Sequence, residues 1–169
     1  METALTGLIV ITLLLLAVLT IGQTYLATQN AILESWRGME ERLGDRARTD
    51  LSLVSSETSV GGGIVRLTLR NDGNTKLADF DRWDVIVQYN QTGGGFAQQW
   101  LPYDELGTDN SWLVSYSEGT MDVFEPRILN SGEQMVIEIT LNPTVAMTTT
   151  NWVTVAAPNG ISASTVFTR

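Results

Sequence analysis

The sequence predicts an α+β protein in which a long N-terminal apolar α-helix precedes an antiparallel β-sandwich of immunoglobulin-like type. Two observations carry this prediction. From Thr3 to Leu33 the chain has no Asp, Glu, Lys or Arg, and after Asp50 it breaks into short runs in which apolar and polar residues alternate. We therefore divide the 169 residues into a hydrophobic helix, residues 1–49, and an outer β-sandwich domain, residues 50–169.

The apolar segment is long enough to cross a membrane. Its densest part, Leu8 to Ile21, reads LIVITLLLLAVLTI, and only two threonines interrupt it. A run of about 20 apolar residues spans a bilayer. The segment is apolar on every face, whereas a helix on the surface of a soluble domain has a polar stripe. We therefore expect it to lie in a membrane or among other apolar helices.

The charges around the apolar segment are asymmetric. Glu2 is the only charge in front of it, and four arginines follow it, at positions 37, 42, 46 and 48. A cleavable signal peptide has a basic region before the apolar run, so that reading is disfavoured. Basic flanks of ordinary anchors face the cytoplasm. Either the C-terminal domain lies inside the cell, or a basic leader upstream of Met1 has been removed, and we expect the mature terminus at or near Met1.

Helical spacing continues beyond the membrane-length segment, and no proline occurs between Met1 and Asp50. A helix from about residue 3 to about residue 48 is roughly 70 Å long at about 1.5 Å per residue. This is more than twice a hydrocarbon core of about 30 Å, so the helix suits a filament core better than a simple anchor. Gly44 and the polar run after it mark the expected end. The side chains that we assign to the assembly helix are Leu8, Ile11, Leu15, Val18, Ile21, Tyr25, Ile32 and Trp36.

Three threonines spaced by four, Thr20, Thr24 and Thr28, lie on one face of this helix. Small polar residues at this spacing allow neighbouring helices to approach closely. Alternatively, their hydroxyl groups bond to the preceding helical turn.

The second part of the chain has the period of β-strands. Ile64–Arg70 and Met135–Leu141 alternate almost strictly, which indicates one buried and one solvated face. Turn signals such as Asn71-Asp72-Gly73-Asn74 separate the runs. The expected core residues are Val65, Leu67, Leu69, Val85, Val87, Val136, Ile139, Val153, Val155 and Val166. The expected strands are Leu51–Val54, Ile64–Arg70, Asp84–Tyr89, Phe96–Leu101, Trp112–Tyr116, Asp122–Ile128, Gln134–Leu141, Trp152–Ala157 and Ser162–Phe167.

The composition excludes several classes of function. The chain has no Cys and no His, so it has no disulfide, thiol nucleophile, imidazole base or zinc site of the usual kinds. Its formal charge of −9 and pI near 4.3 argue against a nucleic-acid surface. We expect no enzyme activity, no cofactor and no metal site.

Three loop features carry possible chemistry. Asp79, Asp81 and Asp84 form one acidic cluster, and Asp104, Glu105 and Asp109 form another. Either cluster offers oxygen ligands for Ca²⁺, but the twelve-residue loop of an EF-hand is missing, and solvated turns are the simpler reading. The glycine runs at residues 61–63 and 93–95 lack the Lys of a phosphate-binding loop and are expected to be loop tips. Asn90-Gln91-Thr92 is a possible glycosylation site at Asn90.

A charge-free N-terminal helix followed by a β-sandwich resembles the archaeal-type flagellins, or archaellins, of the type IV pilin-like superfamily. Three segments carry the resemblance: LTLRNDGNTKLADFDRWDVIVQY (67–89), ILNSGEQMVIEITL (128–141) and VTVAAPNGISASTVF (153–167). Each resembles a segment that recurs in archaellum filament and accessory proteins. Bacterial type IV pilins have Glu at the fifth residue of the mature chain, where this chain has Leu5, so the bacterial pilins are the poorer match.

The resemblance implies a subunit that polymerises through its helix into an extracellular, cell-surface filament for swimming motility. It implies membrane insertion before assembly, processing by a pilin-type leader peptidase and attachment to an archaellum-type motor platform. The expected partner is the chain itself, as a helical homopolymer, and no nucleic acid. Two alternatives stay open: a non-rotating adhesive pilin, and a membrane-anchored accessory or stator protein of the archaellum that contacts the surface layer.

Overall fold

The computed structural model describes residues 2–115, 125 and 127–169. Within them lie one α-helix, one short 3₁₀-helix and eight β-strands. The chain divides into two compact units, residues 1–43 and Gly44–Arg169, and each is described by itself. The predicted α+β class, with one long apolar helix and two antiparallel sheets, is confirmed.

Helix α1 runs without interruption over Glu2–Arg48. It passes through Gly44 and ends within the polar run that follows. In its last turn the Arg48 guanidinium donates from Nε to the Gly44 carbonyl at 3.2 Å and from Nη2 to Asp45 at 3.1 Å. A cation at this end also complements the helix dipole. These contacts stabilise the last turn of the helix, which ends four residues beyond the glycine.

Eight antiparallel strands form two four-stranded sheets, in the orders β1-β2-β6-β5 and β4-β3-β7-β8. With β1 to β3 lettered A to C, β4 lettered C′ and β5 to β8 lettered D to G, these are sheets ABED and C′CFG, which is an immunoglobulin-like topology. The strands are β1 Leu51–Thr58, β2 Ile64–Asn71, β3 Asp84–Asn90, β4 Phe96–Leu101, β5 Ser111–Ser115, β6 Gln134–Thr140, β7 Thr150–Ala156 and β8 Ser162–Thr168.

Eight of the nine predicted strands are present. The ninth, Asp122–Ile128, falls largely outside the described residues, and its described members Glu125, Arg127 and Ile128 lie in turn or irregular structure. Glycines 93–95 form the tip of the β3–β4 hairpin, with φ between 92° and 119°. Such positive φ angles favour glycine, which explains why three of them occur in succession at this tip.

The core lies between the two sheets. Eight of the ten expected core residues are buried, but Val136 and Val166 are not. In β6 both faces carry apolar residues, and the register that pairs Val65 with Ile139 turns Met135, Ile137 and Ile139 inward. Val136 therefore points away from the core. In β8 the buried positions are Ala163 and Phe167, which leaves Val166 45% exposed on the outer face.

The turn after β2 is hydrogen-bonded to the backbone that leads into β1, at residues 48–50. Asn71 is fully buried; its Nδ2 donates to the Thr75 and Leu129 carbonyls at 2.8 and 3.0 Å, and its Oδ1 accepts from the Gly73 amide. The Gly73 and Asn74 amides donate to the carbonyls of Asp50 and Arg48. A Cβ atom at residue 73 would overlap this backbone, so only glycine fits there.

Candidate assembly helix

The assembly helix predicted from sequence leaves its apolar side chains uncovered in the helical unit. Nineteen large apolar side chains of α1 are exposed, from Leu5 to Leu43. The eight residues assigned to the assembly are all among them, with exposed fractions from 49% at Ile32 to 73% at Trp36. Within the described part of the chain, α1 is the one helix long and apolar enough to cross a membrane.

Four of the six threonines of α1 bond their hydroxyl groups to the helix backbone. Thr12, Thr20, Thr24 and Thr28 each donate to the carbonyl four residues earlier, at 2.8 to 3.1 Å. This is the back-bonding alternative considered for them, and it removes the need for a partner in an apolar environment. A close helix approach along this face stays a prediction.

Beyond the membrane-length segment, α1 keeps an apolar side although charges appear. Tyr25, Ile32, Trp36, Met39 and Leu43 remain at least 49% exposed. The Gln29 side-chain amide donates to the Tyr25 hydroxyl at 2.8 Å, one turn earlier. Water can solvate the charged side of the C-terminal half of α1, but a bilayer is too thin to cover all of the apolar side of the helix. The apolar side of α1 can therefore bind other helices along its whole length.

The sandwich carries an apolar patch that sequence reasoning missed. On the outer face of the β4-β3-β7-β8 sheet, Ile86 pairs across strands with Trp100, and Trp152 pairs with Val166. These four side chains are 37% to 58% exposed. These four residues occupy the alternate positions of their strands at which side chains face solvent. The sequence signal that could have revealed the patch was a tryptophan at such an outward-facing position.

Two of the acidic residues weighed as possible cation ligands accept hydrogen bonds within the folded domain. Asp84 accepts from the Trp100 indole at 2.8 Å, and Asp109 accepts from the Asn142 amide at 2.7 Å. Asp79 precedes the 3₁₀-helix Phe80–Arg82 with φ of 51°. Within the described residues, no three acidic side chains come together as a metal site would require.

Two carboxyl groups have perturbed acidity for local reasons. Hydrogen bonds, first from the Thr108 hydroxyl and then from the Leu106 amide, lower the pKa of Asp104 below its ordinary value. The pKa of Glu125 is lowered by Lys76, whose ammonium donates to it at 2.9 Å, and by Asn130. Both groups are therefore stabilised as carboxylates, and both accept hydrogen bonds within their exposed loops.

Asn90, the predicted glycosylation site, lies at the end of β3 and is half-buried. Its backbone amide donates to Asn151 Oδ1 at 2.9 Å, and its side-chain nitrogen lies 3.5 Å from the same oxygen. The Thr92 hydroxyl of the same motif lies 2.9 Å from the Thr144 hydroxyl. Both side chains of the motif therefore have partners in the folded domain, and a glycan at Asn90 stays a prediction.

Comparison with known proteins gives matches by structure only. No family model matches the sequence, and no curated protein matches it. Among solved structures, the archaellum periplasmic stator protein FlaG from Sulfolobus acidocaldarius matches with a TM-score of 0.55 at 20% identity, over 70% of this chain and 99% of that one.

Two filament-related structures match as well. A subunit of the archaeal flagellum of Methanospirillum hungatei matches with a TM-score of 0.53 at 16% identity, over 99% of this chain and 91% of that one. The flagellin FlaB1 from Methanocaldococcus jannaschii matches with a TM-score of 0.52 at 12% identity, over 71% and 89%. These likenesses confirm the archaellin-like fold that the sequence predicted.

Proposed function

We propose that this chain is a structural subunit that polymerises through α1 into an extracellular archaellum-type filament for swimming. The observation that carries the proposal is the extent of apolar surface on α1. Exposed apolar side chains continue along α1 as far as Leu43. A bilayer covers a helix of only about 20 residues. The fold likeness to the Methanospirillum hungatei flagellum subunit, which extends over 99% of this chain, supports the proposal.

Solubility explains how such a subunit works. A large apolar side chain left in water costs about 1.5–3 kcal/mol relative to burial, and α1 exposes nineteen of them. The helix therefore resides in the bilayer before assembly and in a bundle of identical helices afterwards. Moving between the two involves a small free-energy change, because lipid and bundle are comparably apolar. Repetition of a head-to-tail contact then produces an open helical polymer.

The proposed partners follow from this cycle. The chain associates with the membrane first and with copies of itself later, and its acidic sandwich faces the medium. By resemblance to archaellins, a leader peptidase processes it and a motor platform rotates the filament. A structural role for this chain is supported by its likeness in fold to structural components of the archaellum.

Filament formation and swimming are tested together in a deletion strain of the source organism. We expect loss of surface filaments in negative-stain micrographs and loss of swimming in soft agar, with both restored by the wild-type gene. Antibodies against the sandwich should label the restored filaments along their whole length. Filaments that persist unlabelled in the deletion strain would contradict the proposal, and filaments without a swimming defect would indicate the adhesive pilin.

A second candidate is an accessory or stator protein at the base of the filament. The likeness of the sandwich to the stator protein FlaG, which extends over 99% of that chain, favours it. A stator subunit stays in the membrane fraction when filaments are sheared from cells, whereas a filament subunit leaves with them. Quantifying the chain in both fractions by immunoblot distinguishes the two candidates.

A further inference from the structure

The outward-facing side of the β4-β3-β7-β8 sheet alternates apolar and polar side chains across its strands. The strand registers place its central residues in two adjacent rows, which we call the outer rows. The first row consists of Gln98, Gln88, Trp152 and Val166. The second row consists of Trp100, Ile86, Thr154 and Ser164. In each row two apolar side chains stand beside two polar ones, and the order is reversed from one row to the next.

The outer rows are uncharged, unlike the outward side of the other sheet. The strands β3, β4, β7 and β8 contain one charged residue, Asp84, and no basic residue. On the other sheet, Arg66 forms an ion pair with Glu138 at 2.9 Å. The whole chain carries a formal charge of −9 at pH 7. An uncharged surface on so acidic a chain suits a neutral ligand better than an ionic one.

Polar groups without partners lie beside the two tryptophans. Within the described residues, the side-chain amides of Gln88 and Gln98 and the indole N–H of Trp152 make no hydrogen bond. A shallow groove of about 300 Å³ is lined by Ile86, Gln88, Trp152, Thr154 and Ser164. The hydroxyl oxygens of Thr154 and Ser164 lie 2.8 Å apart, and each can still accept a further hydrogen bond. The groove therefore offers donors and acceptors next to an aromatic ring.

The two tryptophans are accessible and well separated. Trp100 is 58% exposed and Trp152 is 47% exposed. The Trp100 indole N–H donates to Asp84 Oδ1 at 2.8 Å, which fixes the orientation of that ring. The two residues lie two strands and one row apart, so their Cα atoms are about 12 Å apart at a strand spacing of about 4.8 Å and a rise of about 3.4 Å. A single flat ring cannot cover both tryptophans, but a chain of linked rings can.

A sugar chain satisfies both kinds of group at once. The C–H faces of a pyranose ring are apolar and stack on an indole, while the hydroxyl groups around the ring donate and accept hydrogen bonds. A protein or lipid surface would cover the tryptophans but leave the glutamine amides buried and unpaired, which is unfavourable. Single-stranded nucleic acid also stacks on aromatic rings, but it requires a basic groove. The chemistry of the outer rows therefore fits an oligosaccharide.

We propose that the outer rows bind a neutral oligosaccharide of pyranose rings. Trp100 and Trp152 stack on separate rings of the sugar chain, and Gln88 and Gln98 bond to its hydroxyl groups. Antiparallel sheets of other folds present a face to oligosaccharides in the same way. This function is additional to filament assembly and uses no residue of α1. In a polymer the site is repeated in every subunit, so weak single sites together hold a glycan-coated surface.

Glycan-array binding tests the proposal on the full-length chain, whether or not filaments form. The chain is purified in a detergent without a sugar headgroup and detected through a C-terminal tag. The array carries neutral gluco-, manno- and galacto-oligosaccharides, from single sugars to short chains, together with sulfated and sialylated glycans. We expect binding to at least one neutral series, stronger for the short chains than for the single sugar. Binding confined to charged glycans, or no binding at all, would overturn the proposal.

Variants of the two tryptophans show whether flat rings hold the sugar. Trp100→Ala and Trp152→Ala should each lower the affinity for the bound oligosaccharide by about tenfold or more, as expected for aromatic anchors. Trp152→Tyr should retain part of the affinity, whereas Trp152→Leu, which keeps apolar bulk without a ring, should lose it. Val54→Ala, at an exposed position of the other sheet, is the control and should bind like the wild type. Wild-type affinity in Trp152→Leu would contradict stacking.

Gln98→Leu distinguishes a sugar from an apolar partner, because the two ligands predict opposite effects. Loss of the exposed amide should weaken oligosaccharide binding several-fold, whereas an apolar protein surface would bind the more apolar variant more tightly. Circular dichroism of the variant should match the wild type, since the side chain of Gln98 is exposed. An oligosaccharide affinity that is unchanged or increased in Gln98→Leu would refute the role of the amides and favour docking of a protein.

Discussion

The helix and the sandwich place their apolar residues in opposite ways. Val65, Leu67 and Ile137 of the sandwich are fully buried within their own unit, whereas Leu15, Val18 and Trp36 of α1 are at least 60% exposed in theirs. The sandwich thus completes its core alone, and the helix depends on lipid or on other helices. The difference separates folding from assembly: changes in one region should affect stability, and changes in the other should affect polymerisation.

The largest expected effect is a charge within the apolar part of α1. Leu15→Asp places an unpaired carboxylate among apolar neighbours, at a cost of several kcal/mol in each copy. We expect no filaments in negative-stain micrographs of the variant strain. Leu15→Met, which keeps the apolar volume, is the control and should assemble normally. Normal filament yield from Leu15→Asp would show that this segment is not a packed core.

Removal of the helix should abolish association and leave the sandwich folded. Residues 51–169 bury a core of their own and carry 6 basic and 13 acidic residues, a charge of −7 that discourages self-association. We expect β-structure by circular dichroism and a single monomeric species in sedimentation. A fragment that still polymerises would place the assembly contacts on the sandwich, through the outer patch around Trp152.

Inside the sandwich, replacing a large core residue with a small one should lower the free energy of unfolding. It should not change the assembly of chains that have folded. Ile137→Ala removes buried apolar atoms from the centre of β6 and should cost about 2–5 kcal/mol of unfolding free energy. Ile86→Ala, on the outer face, is the matched control and should cost much less. Denaturant unfolding of the 51–169 fragment compares them. Similar losses at both sites would contradict the assignment of faces.

The smallest effect concerns the loop closed by Asp104. Because its pKa is lowered in the folded chain, the bonds from Thr108 and Leu106 stabilise the fold at neutral pH. That stabilisation is lost as the pH falls through the folded pKa, on the acid side of 3.8. Carboxyl titration by NMR should show a lowered pKa that returns toward 3.8 in Thr108→Val. An unchanged value in the variant would exclude Thr108 as the cause.

Helix α1 was predictable because its signals are local and strong. A charge-free run and the absence of proline suffice to predict the helix, and exposure of its apolar residues follows from their presence on every face. The sandwich loops were less predictable. The roles of Asp84 and Asp109 depend on Trp100 and Asn142, which are distant in sequence and adjacent only after folding.

The sequence by itself determined that a long apolar helix precedes a set of β-strands, and it determined most strand positions, because each of these features depends on residues close together in the chain. Tertiary structure alone decided which side of β6 and β8 faces inward. Both Val136 and Ile137 are apolar, and only the pairing of β6 with β2 and β5 turns Ile137 into the core. It also decided that Asn71 is buried, since the carbonyl of Leu129 that it binds lies 58 residues away. Pairing between distant strands has no local sequence signal, because a shift by one residue exchanges the two faces while leaving the alternation unchanged.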